Sequence, residues 1–296
     1  MNRLTNLCAR KDPLKITHVI GSLEVGGAEQ CLCGLVRGVD PALAEMNVIA
    51  LIAGGALSRV LAERGVRTEA LSMRPGRPDP RAVIELARRL RRDRPDLVVT
   101  WMYHANLIGG LAAKLSGQIP VIWNIRHTHL DRRRSKRLTR WTARAGGWLS
   151  RAVPDALVYV ADAAAEHHSQ TGYQCARTLV IPNGFDLRTF RPDVAARAAL
   201  VGQLGLPSEA ELVGLAARFH PDKDHRSFLA AAGRIRRARP QTQFVLAGEG
   251  VSPDNPSLAA WTQENGLSGT VHFLGRRDDM PRFLAALDVA VCSSLT

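Results

Sequence analysis

Leu212-Val-Gly-Leu-Ala-Ala-Arg218-Phe-His-Pro-Asp-Lys223-Asp-His225 is the stretch that decides the fold. It opens as an apolar run suited to a buried strand, breaks into a loop, and gives way to a helical pattern from Arg226. The loop carries two cations, Arg218 and Lys223, just beyond the strand. In an open α/β sheet that carboxyl edge is where ligands bind, and a guanidinium fork with an ammonium suits a diphosphate better than a single carboxylate. The plainer account makes both residues solvated charges near a turn, the usual fate of Arg and Lys, and the pair alone does not displace it.

The 296 residues, 46% of them hydrophobic, can bury one large core or two ordinary ones, so two domains are expected. No apolar run nears the roughly eighteen residues that cross a bilayer. Met1 to Lys15 alternates polar and apolar residues without a signal-peptide core, which points to a cytoplasmic location. The cysteines at 8, 31, 33, 175 and 292 form no Cys-x-x-Cys pair and no regular framework, so reduced thiols are expected rather than disulfides or structural zinc. A formal charge of +13 marks a surface that collects polyanions, with nucleic acid, anionic lipid and phosphorylated substrates all admissible.

In the first half, Ile16 to Ile20 reads as a strand, followed by Gly26-Gly27-Ala28-Glu29 at the start of a helix through Leu35. Adjacent glycines let the backbone approach a ligand, and a helix start offers amides to an oxyanion, although a lone glycine pair is more often a tight turn. The spacing from Gly21 is wrong for a dinucleotide fingerprint. Strands are expected at Met46 to Ala53, Thr68 to Leu71, Leu97 to Thr100, Val121 to Ile125 and Ala156 to Val160. Helices are expected at Leu57 to Arg64, at Arg81 to Arg92 behind the loop from Arg74, and at Leu107 to Leu115. The arginines at 88, 89, 91, 92 and 94 read as a solvated face of the second of these helices. His104 follows a central strand; a histidine there is commonly a packing residue, but the carboxyl edge favours a ligand contact. Arg126-His127-Thr128-His129 ends the next strand.

From Arg132 to Ala152 the pattern is an amphipathic helix, with Leu138, Trp141, Ala145, Trp148 and Leu149 on one stripe. Arg133, Arg134, Lys136, Arg137, Arg140 and Arg144 surround that stripe. Two fates fit: the stripe packs on the sheet with its charges in water, or the helix lies on an anionic membrane surface. Asp162 is expected to cap a helix, and His167-His168 to sit on its solvated face. Leu179-Val-Ile-Pro-Asn-Gly-Phe-Asp186-Leu-Arg-Thr-Phe190-Arg-Pro192 is an apolar strand closed by a strong turn signal. Beyond it, helices at Ala195 to Leu204, at Ser227 to Arg239 and up to Ala286 alternate with strands at Gln243 to Ala247, Val271 to Gly275 and Asp288 to Cys292. That alternation is the pattern of a parallel sheet wound with helices. Gly248-Glu249-Gly250 and Arg276-Arg277 stand just past two of the strands.

Taken together, the Arg218-x4-Lys223 spacing, the Gly-Gly-Ala-Glu turn, His104 and the Ile-Pro-Asn-Gly-Phe-Asp…Phe-x-Pro crossing resemble the retaining GT-B glycosyltransferases of the sucrose-synthase-like family four. The resemblance implies an α/β fold of two doubly wound Rossmann-like domains facing a cleft. These are an acceptor-side domain at 1–186 and a nucleotide-sugar donor domain at 187–296. It implies that Arg218 and Lys223 grip the donor diphosphate, that His104 lies beside the donor sugar, and that Gly26 and Gly27 face donor phosphate and acceptor. Gly248, Arg276 and Arg277 complete the donor-binding candidates. The family pattern next places an acidic residue and, after seven more, a Glu; the sequence ends at Thr296 before both, so a second domain truncated at its C-terminus is expected.

The expected reaction moves a sugar, with retention, from a UDP- or GDP-linked donor to a saccharide or lipid-linked acceptor. Its setting is polysaccharide or glycolipid synthesis in the cytoplasm or at the inner face of the membrane. Arg218 and Lys223 stabilise charge on the departing diphosphate, which needs neither a metal nor a cofactor beyond the co-substrate. Three rivals stay open. Asp222-Lys223-Asp224 is an Asp-x-Asp triplet of the kind that holds a divalent cation in a metal-dependent transferase, although the lysine ammonium would already fill the phosphate site. A non-catalytic basic module for membrane or nucleic acid fits the charge, but scattered cations and only 5% aromatic residues supply a poor platform for bases, so nucleic acid is not the expected partner. A truncated chain that folds only its first domain is the third. Walker, His-Glu-x-x-His and Gly-x-Ser-x-Gly motifs are absent.

Overall fold

The computed structural model describes residues 4, 7, 12–74, 79–128 and 137–295. Expectations for Cys8, for loop residues 75–78, for His129, and for 132–136 with Arg133, Arg134 and Lys136, lie outside these. The chain divides into two compact units, Met1–Gly184 and Phe185–Thr296.

In the first unit, buried apolar runs alternate with helical segments along the chain. The elements are β1 (Leu14–Ile20), α1 (Gly27–Gly38), β2 (Ala44–Ala50), α2 (Leu57–Ala62), β3 (Arg67–Ala70), α3 (Arg81–Asp93), β4 (Leu97–Trp101), α4 (Met102–Leu115), β5 (Val121–Ile125), α5 (Arg137–Leu149), β6 (Ala156–Tyr159), α6 (Asp162–Gln170) and β7 (Thr178–Val180). Every strand pairing is parallel, in a seven-stranded sheet of order β3-β2-β1-β4-β5-β6-β7. Parallel strands need both faces covered, and both are. Val19, Val98 and Trp123 pack with Leu86 and Leu90 of α3 and Ala112 of α4, whereas Ile20, Val48 and Trp101 pack with Leu32 of α1 and Leu61 of α2.

The second unit comprises α7 (Val194–Gln203), β8 (Glu211–Ala216), a short 3₁₀ turn (Pro221–Lys223), α8 (His225–Ala238), β9 (Thr242–Ala247), α9 (Pro256–Glu264), β10 (Val271–Phe273), α10 (Met280–Ala286) and β11 (Val289–Val291). Its four strands lie in the order β10-β9-β8-β11, again all parallel. Phe228, Leu229 and Leu258 of α8 and α9 cover one face, and Leu200 and Phe283 of α7 and α10 the other. These two sheets with helices on both faces are the expected doubly wound α/β architecture.

Several local expectations are corrected. Helix α4 begins at Met102 and not at Leu107, so His104 lies in its first turn rather than in a preceding loop. The early start is held by Asn106, whose buried amide donates to Thr100 O at 3.1 Å, Thr100 Oγ1 at 2.7 Å and Met102 O at 3.1 Å. That clamp pins Met102 at φ +70°, a left-handed conformation that costs a non-glycine residue energy and persists only where its surroundings fix it. Asp162 is the first residue of α6 rather than its cap; the extended Ala161 stands at the cap position without a side-chain bond. Helix α9 escaped the periodicity reading, although Asn255-Pro256 marks its start, with Asn255 Oδ1 accepting from Ser257 N at 3.1 Å.

His168 is not on a solvated face. It is buried, with Nδ1 donating to Ala164 O at 2.7 Å and Nε2 accepting from the Tyr103 hydroxyl at 2.9 Å, against Tyr159 and Tyr173. Helix α5 is turned opposite to the packed-stripe expectation: Thr142, Ala143, Gly146 and Gly147 face inward, while Trp141 and Trp148 are 72% and 81% exposed. The cause is close packing on Tyr173. A Cβ on Gly146 would stand 2.6 Å from its hydroxyl oxygen and one on Gly147 3.2 Å from its ring, so only the glycine face can turn inward.

Two predictions follow from this packing. Burial holds both His18 and His168 at pKa values of about 4, below the unfolded value of about 6.5. The neutral rings therefore contribute stability above pH 6.5 that is lost as the pH falls toward 4. Urea unfolding should show a drop of about 2 kcal/mol per histidine between about pH 7.5 and 5, and a flat profile would contradict it. Asn106→Ala should cost about 2 kcal/mol, because two buried carbonyls lose their donor. Asn106→Asp, which offers acceptors only, should cost at least as much by the same measurement.

Candidate functional site

The ligand crevice of a doubly wound sheet opens where neighbouring strands lead their connections in opposite directions. In the second unit this reversal falls between β8 and β11, where Leu215 is registered against Val291. The loop after β8 carries Arg218 and Lys223 to that edge. Neighbouring loops hold it in place: Ala217 N donates to Ala247 O at 2.9 Å, Phe219 N to Glu249 O at 2.7 Å, and Gly248 N to Gly275 O at 2.7 Å. Gly248 makes the junction sterically feasible, since a Cβ there would lie 2.1 Å from Ala217 O and 2.8 Å from Arg218 N. From the other side of the reversal, Ser293 Oγ donates to Lys223 O at 2.7 Å and Leu295 N to Asp222 O at 2.9 Å.

The two cations differ in how they are held. Lys223 is half-buried and its ammonium donates to Ser294 Oγ at 3.4 Å, a long bond. Arg218 is exposed, and among the described residues its guanidinium makes no hydrogen bond or ion pair. A fixed backbone thus carries a planar five-donor fork, unengaged among the described residues, and a lightly held ammonium in the same loop. Asp224 has a structural task, since its carboxylate caps α8 by accepting from Ser227 N at 3.2 Å from a left-handed backbone at φ +44°. His220 Nδ1 accepts from Asp222 N at 3.3 Å and closes the intervening turn.

Gly248, Arg276 and Arg277 reach the same edge with other roles. Gly248 shapes the Arg218 loop. Arg276 is exposed, with Asp278 at 3.8 Å. Arg277 is committed: it binds both Asp279 oxygens at 2.7 and 2.6 Å and lies 6.0 Å from the Phe283 ring centre. The Asp279 hydrogen bonds hold its guanidinium pKa above the usual value, and it anchors α10.

In the first unit the reversal falls between β1 and β4, where Ile20 is registered against Trp101. Beyond β1 the chain reaches Gly26 and Gly27 at the start of α1, and beyond β4 it enters α4 with His104 in the first turn, so sequence-predicted residues of this unit follow the two strands that flank one reversal. His104 is half-buried and desolvation holds its imidazole pKa below the ordinary value, which favours the neutral ring. Gly27 is open, with no heavy atom within 4 Å of a built Cβ. Gly26 is crowded by Glu29 of the same helix turn, whose carboxylate oxygen would lie 2.3 Å from a Cβ. The close approach that Gly26 permits is therefore made by the chain's own carboxylate.

Arg126, at the carboxyl end of β5, is a residue that the sequence reading did not single out. Its Nη1 donates to Ile181 O at 3.0 Å, Nη2 donates to Asn183 Oδ1, and Met102 Sδ accepts from its backbone N at 3.3 Å. Cys31 Sγ donates to the same Asn183 oxygen at 3.0 Å. One residue thus links these parts: the Arg126 side chain and Cys31 of α1 share Asn183, and the Arg126 backbone N holds Met102 at the start of α4. The signal was available, since Arg126 directly follows a buried strand, much as Arg218 stands two positions past β8.

The family description Glycosyltransferase Family 4 matches residues 25–189, and Glycosyl transferases group 1 matches 210–296. The chain is 29% identical over 126 residues to EpsF of Bacillus subtilis (strain 168), covering 43% of this chain and 32% of that protein. It is 26% identical over 230 residues to the UDP-Gal:alpha-D-GlcNAc-diphosphoundecaprenol alpha-1,3-galactosyltransferase of Escherichia coli, covering 73% of this chain and 56% of the relative. It therefore spans about a third and about half of these relatives' lengths. The structure of Anabaena HepE in complex with UDP-glucose superimposes with a TM-score of 0.80 at 22% identity, over 96% of this chain and 74% of that one. The GT-B fold is shared. Because the first match alone runs through more than half of the sequence, this chain belongs to Glycosyltransferase Family 4.

Proposed function

We propose that this protein transfers a sugar from a nucleotide-sugar donor to a saccharide or lipid-linked acceptor, with retention at the anomeric carbon. The observation that carries the reading is the Arg218 guanidinium, exposed and unengaged among the described residues, in the same loop as Lys223 at the strand reversal of the second sheet. An exposed arginine held on a backbone built this tightly is pre-arranged for an anion with several oxygens. The E. coli relative's name includes a UDP-linked sugar and a diphosphoundecaprenol acceptor, and HepE was captured with UDP-glucose, which supports this class of donor and acceptor.

Breaking the anomeric bond leaves the electron pair on the diphosphate oxygen. The donor's diphosphate already carries two negative charges and gains a third as it departs; Arg218 and Lys223 bind the more highly charged leaving group more strongly than the ester it came from, which lowers the barrier. His104, neutral at physiological pH, contacts the donor sugar, and Gly27 leaves room for donor phosphate or acceptor. Gly26 and Gly248 act by shaping their loops, Arg276 is a peripheral cation for the nucleotide, and Arg277 positions α10. In this scheme the reaction requires no divalent cation: the lysine takes the phosphate charge and Asp224 is occupied as a helix cap. The chemistry belongs on the cytoplasmic side, where nucleotide sugars are made.

The test is a panel of UDP- and GDP-linked sugars, read by calorimetry and by release of the nucleoside diphosphate. Arg218→Ala and Lys223→Ala should each lower turnover about a hundredfold and weaken nucleoside diphosphate binding at least about tenfold. Melting temperature should hold for Arg218→Ala, since that side chain supports nothing in the fold. Nucleoside diphosphate binding unchanged in the double variant would overturn the reading, and loss of turnover on chelation would overturn its metal-free form.

A further inference from the structure

We propose that the outer face of α5 docks on an anionic lipid bilayer. The exposed positions of this helix are Arg137, Trp141, Arg144 and Trp148. Their spacing of four, three and four residues sets them on a single stripe along the helix, about 17 Å long at the usual rise per residue. Cation and indole alternate along it. Leu138, Ala145 and Leu149 flank the stripe, half-buried, and Arg151 stands exposed just past the helix end. From Arg137 to Pro154 the chain has four arginines and no acidic residue.

Two indoles at 72% and 81% exposure are costly to leave in water. They are not outside by default, because the Gly146-Gly147 contact with Tyr173 fixes the rotation of the helix and aims them away from the core. An indole is at its best at a membrane interface, where its ring enters the headgroup level while its N–H stays hydrated. Arginines placed between the indoles meet lipid phosphates at the same depth, and their attraction to an anionic surface adds to the apolar term. Among the described residues no helix is long and apolar enough to cross a membrane, so this face would rest on the bilayer rather than span it. Charge complementarity selects the occupant: a face with cations, indoles and no carboxylate fits an anionic lipid surface. This proposal stands independently of the transfer reading, and the vesicles that test it carry no acceptor.

The experiment sediments the full chain with vesicles of phosphatidylcholine alone or with about 30% phosphatidylglycerol, at low and high salt. The expected result is binding to the anionic vesicles roughly tenfold tighter than to the neutral ones, weakened by salt. Trp141→Ser/Trp148→Ser and Arg137→Gln/Arg144→Gln should each reduce it by roughly tenfold. Brominated acyl chains should quench the indole fluorescence of the unaltered protein and leave that of the serine variant unchanged. All four positions are exposed, so melting temperatures should match; Trp148→Ser alone replaces the double variant if they do not. Equal binding to both vesicle types, binding unchanged in the variants, or quenching that survives the tryptophan substitutions overturns the proposal. So does a dimer in solution that Trp141→Ser/Trp148→Ser dissolves, which would assign the face to a second copy. Protection of these indoles from aqueous quencher by a short RNA but not by vesicles would overturn it as well.

Discussion

A parallel strand ends with backbone groups that its neighbours only partly satisfy, and the loop that follows must find partners or be covered. In the second unit the β8 loop finds them on both sides, through Glu249 and Ala247 in one direction and Ser293 and Leu295 in the other. This double anchoring is the constraint on which the rest depends. With the backbone of this loop held, the arginine needs no side-chain partner to keep the loop in place, and among the described residues its donors remain unspent. Gly248 is the steric condition, because any larger residue would drive into Ala217 and Arg218. A diphosphate brought to this edge would meet donors already oriented, which is the electrostatic form of preorganisation.

The first unit solves a similar problem differently. Its β4 strand passes directly into α4 through a strained Met102, and Asn106 supplies the hydrogen bonds that make the sharp entry tolerable. The result places His104 in the first turn of a helix that starts at the sheet edge. Arg126 braces the same start through Met102 and the Pro182-Asn183-Gly184 segment through Asn183, so one arginine serves support where another, Arg218, stays unengaged among the described residues. Arginines just past parallel strands therefore cannot be sorted into engaged and unengaged classes by position alone. Their partners decide.

What the sequence disclosed and what it hid divide along the range of the forces involved. Buried strands such as Val121–Ile125 are legible because a fully apolar run bounded by turns has few other homes, and the Arg218–Lys223 spacing is legible because it is local. The burial of His168 was not, since its hydroxyl partner Tyr103 lies far away in the chain and the ring contacts from Tyr159 and Tyr173 form only once β6 and the segment after α6 are folded beside it. The orientation of α5 was left open between two fates for a related reason. Hydrophobic patterning assumes that large apolar residues face inward, but a glycine pair pressed against Tyr173 outranks two tryptophans when the space is too narrow for them. The engagement of Arg277 by Asp279 was foreseeable from two residues' separation, and it separates Arg277 from Arg218 in a way that a count of cations could not.

The most direct measurement of the central claim is a crystal structure of this chain grown with a nucleoside diphosphate. The account predicts the two phosphates beyond the carboxyl end of β8, with the Arg218 guanidinium and the Lys223 ammonium both at hydrogen-bonding distance and the β8 loop backbone unmoved. Phosphates held elsewhere, or a bound diphosphate that leaves Arg218 in solvent, would contradict it.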